Sequence, residues 1–326
     1  AEQAVWAIGN ISGDSAALRD AVLKAGGLDL IVEFCKTATE NSRVKTSIWV
    51  LSNLCRGRPL PAFQLTKNAI EPLSKVIKES DDAEMLTDAA WALSYLSDGK
   101  EGGELVANTG IVPALINLMN HPFLSVLTPV LRTIGNIMIA SEKQKEIISK
   151  HPDIAAKFYG LLSHAKKPVR RESCWVFSQL AESTSQNFDV FIRYPDFVQK
   201  LLQITLTDAP EVQKESAYAL SFIIKNATFD QICYLVGQEI ISTLVSSLKL
   251  DGESKFLVLC IDSLYNILYQ GAKHFARSNE NPFMDKFDAL EAVNKIEELQ
   301  KHKTKEVYKA STKLLEKFYE IENPIQ

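Results

Sequence analysis

Four tryptophans set a ruler along this chain. Trp6, Trp49 and Trp91 are 43 and 42 residues apart, Arg132 in "LRTIGNIM" takes the equivalent place 41 further on, and Trp175 follows after 43. Tyr218 in "SAYALSFII" and Asp262 in "IDSLYNIL" continue the register at 43 and 44, so the period outlives the tryptophan. A fixed period of this length restricts the fold more than composition does. Each unit is too short to bury a core alone and has to stack on its neighbours.

A second phrase runs in step with the first. "GGLDLIVEFC", "NAIEPLSKVI", "TGIVPALINLM", "PDIAAKFYGLL", "PDFVQKLLQI", "QEIISTLVSSL" and "DALEAVNKIEEL" each open on turn or polar residues and continue with helical apolar spacing. Short polar joints such as "TATENSR" and "KESDDAE" separate this helix from the tryptophan helix, and a shorter helix usually precedes both. No sustained period-two alternation suggests strands. The expectation is an all-α solenoid of the armadillo or HEAT type, with two to three helices per repeat. It would form one array over residues 1–326: the last helix of a truncated repeat at 1–12, then repeats at about 13–56, 57–98, 99–140, 141–182, 183–225, 226–271 and 272–326.

The chain's 326 residues, 46% apolar and 23% charged, suit a protein that folds. Apolar stretches such as "FLVLCIDSL" stop well short of the roughly 20 residues that cross a bilayer. The chain begins inside a helical pattern without a Met or a leader, so an upstream part is expected to be missing. The five cysteines are widely spaced and suggest a reducing compartment rather than disulfide or zinc chemistry. A net charge of −4 argues against a general nucleic-acid binder and favours cationic partners. The basic joint "HAKKPVRRES" lacks an aromatic platform and reads as a solvated turn. The five histidines show no metal spacing, and no phosphate loop or nucleophile motif is present. No catalysis, metal or cofactor is expected.

Helical geometry gives the direction of the tryptophans. With about 100° per residue and Val5 at zero, Ala4, Ile8, Ile11 and Ser12 fall between roughly 240° and 340°, while Trp6 and Asn10 fall near 100° and 140°. Ile48, Leu51 and Leu54 oppose Trp49 and Asn53 in the same way, and Ala90, Leu93 and Leu96 oppose Trp91 and Tyr95. Stacking would turn these side chains into parallel ladders of indoles and amides. An Asn amide has both a donor and an acceptor for the backbone of an extended peptide, and a slot between rings suits a Lys or Arg stem ending in a cation. Asp14, Glu84, Asp88 and Asp98 flank the three helices and would meet that charge. The alternative is a catenin-like structural or signalling scaffold. Its groove would carry Lys and Arg where this chain has Trp, Asn and acids.

The phrases "QAVWAIGNISGD", "WVLSNLCR", "WALSYLSDG", "LRTIGNI" and "VYKASTKLLEKFYEIE" resemble, in order and over essentially the whole chain, those of importin-α, the armadillo adaptor of nuclear import. The resemblance implies a right-handed superhelical solenoid that begins in the third helix of the family's third repeat, without the basic segment that binds importin-β. It implies a major site for nuclear localisation signals at Gln3, Trp6, Asn10, Gly13, Asp14, Trp49, Asn53, Asp88, Trp91 and Tyr95, with Asp14 meeting the deepest lysine. It implies a minor site, for the second basic cluster of bipartite signals, at Arg132, Asn136, Glu142, Glu172, Trp175, Gln179, Glu215, Tyr218 and Phe222. Gln179, Tyr218 and Phe222 depart from the family's Asn, Trp and Asn, so this site is expected to be weakened. The family presents its C-terminal repeats to an export receptor with Ran-GTP and shuttles between cytoplasm and nucleus; neither a membrane nor direct nucleic-acid binding is implied.

Overall fold

The computed structural model describes residues 2–182, 188–249, 252–276 and 280–319. The start expected for one repeat, at 183, and the end of the phrase "VYKASTKLLEKFYEIE" lie outside the described residues. Among the described residues every regular element is a helix, as the sequence period implies. The chain divides into two compact units, Ala1–Lys157 and Phe158–Gln326.

Unit 1 contains α1 (Glu2–Asp14), α2 (Ala16–Lys24), α3 (Gly27–Thr37), α4 (Asn41–Cys55), α5 (Phe63–Thr66), α6 (Ile70–Glu79), α7 (Ala83–Leu96), α8 (Lys100–Asn108), α9 (Val112–Leu118), α10 (Leu124–Ala140) and α11 (Glu142–Ser149). The division falls within α12 (Ile154–Leu162). Unit 2 contains α13 (Lys167–Ala181), α14 (Asp189–Ile192), α15 (Phe197–Thr207), α16 (Pro210–Asn226), α17 (Phe229–Gly237), α18 (Ile240–Ser246), α19 (Ser254–His274), α20 (Pro282–Asp288), α21 (Ala292–Leu299) and α22 (Lys305–Tyr319).

The long third helices form the spine of each unit. α1, α4, α7 and α10 pack in series in unit 1, and α13, α16, α19 and α22 do so in unit 2. Their apolar stripe goes where the 100° geometry puts it: Ile48, Leu51, Leu54, Ala90 and Leu93 are fully buried. Each such Leu or Ile contributes about 1.5–3 kcal/mol on leaving water. α1 departs from this pattern: Ala4 and Ile11 are exposed, Ile11 at 45%, and Ile8 is half-buried, while the main packing of α1 is on α2 and α4. In unit 2 the rings of Phe158, Phe177, Phe191 and Phe197 pack with centroids 4.8 to 5.9 Å apart.

Four of the joints before the third helices, those entering α7, α10, α13 and α22, share one device. Ser80 Oγ accepts from the N–H of Asp82, the N-cap of α7, at 3.1 Å. His121 Nδ1 accepts from Phe123, the N-cap of α10, at 3.2 Å, and His164 Nδ1 accepts from Lys166, the N-cap of α13, at 3.0 Å. His302 Nδ1 accepts from Thr304, the residue before α22, at 3.1 Å. In each case a side chain two residues back satisfies a backbone donor at the helix entry, as Asx and Ser/Thr turns do. These histidines are placed by the repeat rather than scattered.

Two arginines fasten the loops. Arg19 of α2, 1% exposed, donates from Nη1 to the Arg56 carbonyl at 2.7 Å, from Nη2 to the Pro59 carbonyl at 2.9 Å, and from Nε to Asp20 at 2.9 Å. Arg170 of α13 grips Asp208 with Nε and Nη2 at 2.6 and 2.7 Å and the carbonyls of His164 and Ala165 with Nη1. That grip holds the Asp208 carboxyl below its usual range. Together with the Lys167–Glu211 pair at 2.5 Å, it corrects the reading of "HAKKPVRRES" as a merely solvated turn. Two of its cations fasten α13 to the entry of α16.

Candidate peptide-binding site

The residues expected to form the major site all lie in unit 1, on α1, α4 and α7. Gln3, Trp6, Asn10 and Asp14 are exposed on α1, with Trp6 at 57%. Trp49 is half-buried on α4, and Trp91 on α7 is 36% exposed. The rings of Trp91 and Tyr95 lie nearly parallel, with centroids 6.1 Å apart and 26° between planes. The face opposite the apolar stripe therefore carries three indoles and a phenol in register along packed helices.

The asparagines do more than face outward. Asn53 is buried at 3% exposure, and its Nδ2 donates to the Gly9 carbonyl on the preceding third helix at 3.0 Å. Asn136 repeats this on α10, donating to the Ser94 carbonyl at 2.8 Å and to Ser97 Oγ at 3.3 Å. Asn10 instead turns back to the Trp6 carbonyl of its own helix at 3.2 Å. An amide nitrogen carries two hydrogens; Asn53 uses one of them on the neighbouring helix, and Asn136 makes two bonds to the end of α7. Burial of Asn53 corrects the expectation that its whole amide is presented to a ligand.

Two glycines make room for this arrangement. A Cβ on Gly9 would come 2.2 Å from Cζ3 of Trp49 and 2.8 Å from Cγ2 of Val50. A Cβ on Gly13 would sit 3.2 Å from Nδ2 of Asn53. Gly13 was expected at the site and Gly9 was not, yet Gly9 underlies the Trp49 indole. A signal for it exists: three residues after each ladder position stand Gly9, Ser52, Ser94, Gly135, Ser178 and Ser221, all small. Gly9→Ala gains about 1 kcal/mol of helix propensity but crowds Trp49 and Val50, and overpacking costs about 1–3 kcal/mol. We expect a small net loss of stability by urea unfolding, with a shifted tryptophan emission that reports the displaced indole.

The acids around the ladder differ in availability. Glu84 pairs with Lys45, which also reaches Asp82 at 3.3 Å, and Asp98 pairs with Arg58 at 3.0 Å. Asp88 is half-buried on α7, one turn before Trp91. Burial, reinforced by the nearby Glu84 carboxylate, pushes its carboxyl up to about 6, against the opposing pull of Arg56 and Lys45. A desolvated carboxylate with no direct cation partner gains most from an incoming ammonium. Arg56, which sequence reasoning did not single out, lies at the same groove and donates to the Gly13 carbonyl at 3.2 Å.

The residues expected at the minor site are divided between the units. In unit 1, Arg132 and Asn136 are half-buried on α10, and Glu142 is engaged by the buried Lys145 at 2.7 Å. In unit 2, Trp175, Gln179, Glu215, Tyr218 and Phe222 are half-buried on α13 and α16, whereas Glu172 is 2% exposed. Gln179 Nε2 turns to Ser178 Oγ at 3.0 Å on its own helix. In this it behaves as Asn10 does, closing on its own helix, whereas Asn53 and Asn136 reach across. Among the described residues no cluster of His, Cys, Asp and Glu is arranged to hold a metal, and no helix is long and apolar enough to cross a membrane.

Comparison with known proteins places this geometry. The armadillo/beta-catenin-like repeat family matches residues 64–98 and 104–139, and an atypical armadillo repeat family matches 281–324. Importin subunit alpha-1b of Oryza sativa subsp. japonica is 36% identical over 321 residues, which are 98% of this chain and 60% of that protein. Importin subunit alpha-3 of Arabidopsis thaliana is 35% identical over 326 residues, 99% of this chain and 61% of that protein. The chain thus spans about three fifths of the length of these relatives. Among solved structures, an engineered protein superposes with a TM-score of 0.84 at 22% identity, covering 97% of this chain and 74% of its own. A designed armadillo repeat protein in complex with the peptide (KR)4 does so with a TM-score of 0.66 at 22% identity, covering 76% of this chain and 99% of its own. These two likenesses concern the fold alone. With about a third of its residues shared with importin subunits alpha along nearly its whole length, on helices stacked as armadillo repeats, the chain belongs to the importin alpha family.

Proposed function

We propose that the chain is a nuclear import adaptor rather than an enzyme, and that it binds Lys/Arg-rich nuclear localisation signals of cargo proteins along the α1–α4–α7 groove. The observation that carries this reading is the register of Trp6, Trp49 and Trp91 on packed helices, with the half-buried Asp88 beside them. Indole faces attract cations at about 0.5–2 kcal/mol each, so several slots in a row are needed for micromolar affinity, about −8 kcal/mol. The peptide in the designed armadillo complex is itself an alternation of Lys and Arg, which supports the same chemistry on the same fold. The repeats would form one array. Linkage to importin-β through a segment upstream of this chain, return by an export receptor with Ran-GTP at the C-terminal repeats, and shuttling between cytoplasm and nucleus belong to the same proposal.

Asp88 gives the test its sign. Its carboxyl is raised in the folded chain, so its ionisation costs stability that is intact below about pH 4 and lost as pH rises through about 6. A peptide ammonium placed beside it favours the ionised form and expels a proton. Affinity for a lysine-rich peptide is therefore expected to rise between pH 5 and 6.5 and then level off, and Asp88→Asn is expected to flatten the profile. Fluorescence titration across that range measures it; equal slopes in both proteins would remove Asp88 from the site.

Phe222 and Tyr218 provide a second test in unit 2. Phe222 has no amide, and Tyr218 offers a smaller ring than the indole of the unit 1 ladder. The double substitution Tyr218→Trp, Phe222→Asn is expected to raise affinity for a bipartite signal about tenfold and leave a short monopartite signal unchanged. Calorimetry with the two peptides checks it, and no gain for the bipartite signal would show that these positions do not limit the second site.

A further inference from the structure

The row of small residues that underlies the ladder ends on α19. Three residues after each ladder position the chain has Gly9, Ser52, Ser94, Gly135, Ser178 and Ser221, and then Tyr265. Tyr269 follows one turn later, and the two rings lie parallel, 6° apart with centroids at 6.1 Å. Opposite them on α22, Lys313 and Lys317 repeat the same four-residue spacing. Lys313 Nζ stands 4.2 Å from the centroid of the Tyr265 ring, and Lys317 Nζ stands 5.9 Å from that of Tyr269. Phe318 packs edge-on against Tyr265 at 5.6 Å and fixes the first ring.

An acid completes the set. Asp262 is half-buried one turn before Tyr265; burial pushes its carboxyl up and Lys313 pulls it down. Two rings one turn apart beside a desolvated carboxylate are the chemistry that the groove in unit 1 offers to peptide lysines. Here the chain supplies lysines of its own, in matching register, from the helix packed alongside.

We propose that the Tyr265–Tyr269 face of α19 is a lysine-reading surface in its own right, held closed by Lys313 and Lys317 of α22. The two lysines act as a built-in ligand. They stop a basic peptide from continuing along α19, and a lysine-rich segment reaches the tyrosines only after displacing them. Loss of charge at Lys313 and Lys317 opens the surface, whereas Arg at both positions keeps it shut. The proposal draws on the cation-reading of the unit 1 groove for its analogy, but its test does not depend on that groove.

The experiment uses the full chain with Trp49→Ala and Trp91→Ala, so that binding in unit 1 is reduced, and adds Lys313→Met and Lys317→Met. Methionine keeps most of the apolar stem while removing the cation. A synthetic peptide of alternating Lys and Ala, with a photo-cross-linking residue at its centre, is titrated and cross-linked, and its attachment is mapped by mass spectrometry. The expected result is a new attachment within 254–274 with at least tenfold tighter binding there than in the parent, lost again on Tyr265→Ala. The Lys313→Arg, Lys317→Arg protein is expected to behave as the parent does. A methionine variant with unchanged circular dichroism and no new attachment on α19 would overturn the proposal. If that variant melts early, Lys317→Met alone is used, and a failure to gain attachment at Tyr269 overturns the proposal equally. Should the peptide bind α19 in the methionine variant yet never bind unit 1 in the otherwise unaltered chain, the unit 1 reading fails and this one stands.

Discussion

Trp49→Ala is expected to weaken binding of a lysine-rich nuclear localisation peptide by about 30-fold, the equivalent of about 2 kcal/mol. Trp49 is the middle indole of the three, so its loss opens a slot on each side. Its ring rests in the space left by Gly9, and its apolar neighbours on α4, Ile48, Val50 and Leu51, point into the core and are fully buried. The helix should therefore keep its place, and unfolding by urea should show a loss well below that of a core truncation. Calorimetric titration gives the affinity. Trp175→Ala, in unit 2, is expected to leave a monopartite peptide within about twofold of the parent, because the proposed site for a single basic cluster is the unit 1 ladder.

The largest effect on stability is expected at Arg19. The side chain is 1% exposed and its guanidinium serves the carbonyls of Arg56 and Pro59 and the Asp20 carboxylate. Arg19→Met keeps much of the stem but leaves all three acceptors without their donor. A buried network broken on one side costs about 3–5 kcal/mol, and part of Asp20 is exposed and can rehydrate, so we expect about 3 kcal/mol. The loop from Arg56 to Pro59 joins the end of α4 to α5, so its release should loosen the C-terminal end of the α4 ladder. A shift in the urea midpoint measures the loss; a change under 0.5 kcal/mol would show that the clamp is replaced by water.

Much of the fold was legible because the period fixes it. A residue that recurs every 41 to 44 positions, flanked by helical spacing, leaves few architectures other than stacked helices. The outward direction of Trp6 and Trp91 followed from 100° per residue alone. What the single-helix geometry misses is everything set by the neighbouring helix. Asn53 lies on the outward side by angle, yet the approach of α1 buries it and takes one of its hydrogens for Gly9. Gly9 reads as a poor helix former in isolation, and its use is visible only beside Trp49. Glu172, which the family resemblance put at the minor site, is 2% exposed. His121, His164 and His302 showed no mutual spacing that suggests a metal, because their partners are backbone N–H groups at helix entries that no side-chain motif records.

The charge preference of the unit 1 groove is the centre of the account, and one competition measures it. A fluorescent lysine-rich peptide is titrated onto the chain at physiological salt and displaced with an unlabelled lysine-rich peptide or with an acidic peptide of equal length. Binding in the micromolar range, displacement by the basic competitor alone, and loss of most of the affinity in Trp49→Ala are the expected results. Tighter binding of the acidic peptide, unchanged by Trp49→Ala, would contradict a preference for cations and favour a scaffold that carries acidic tails.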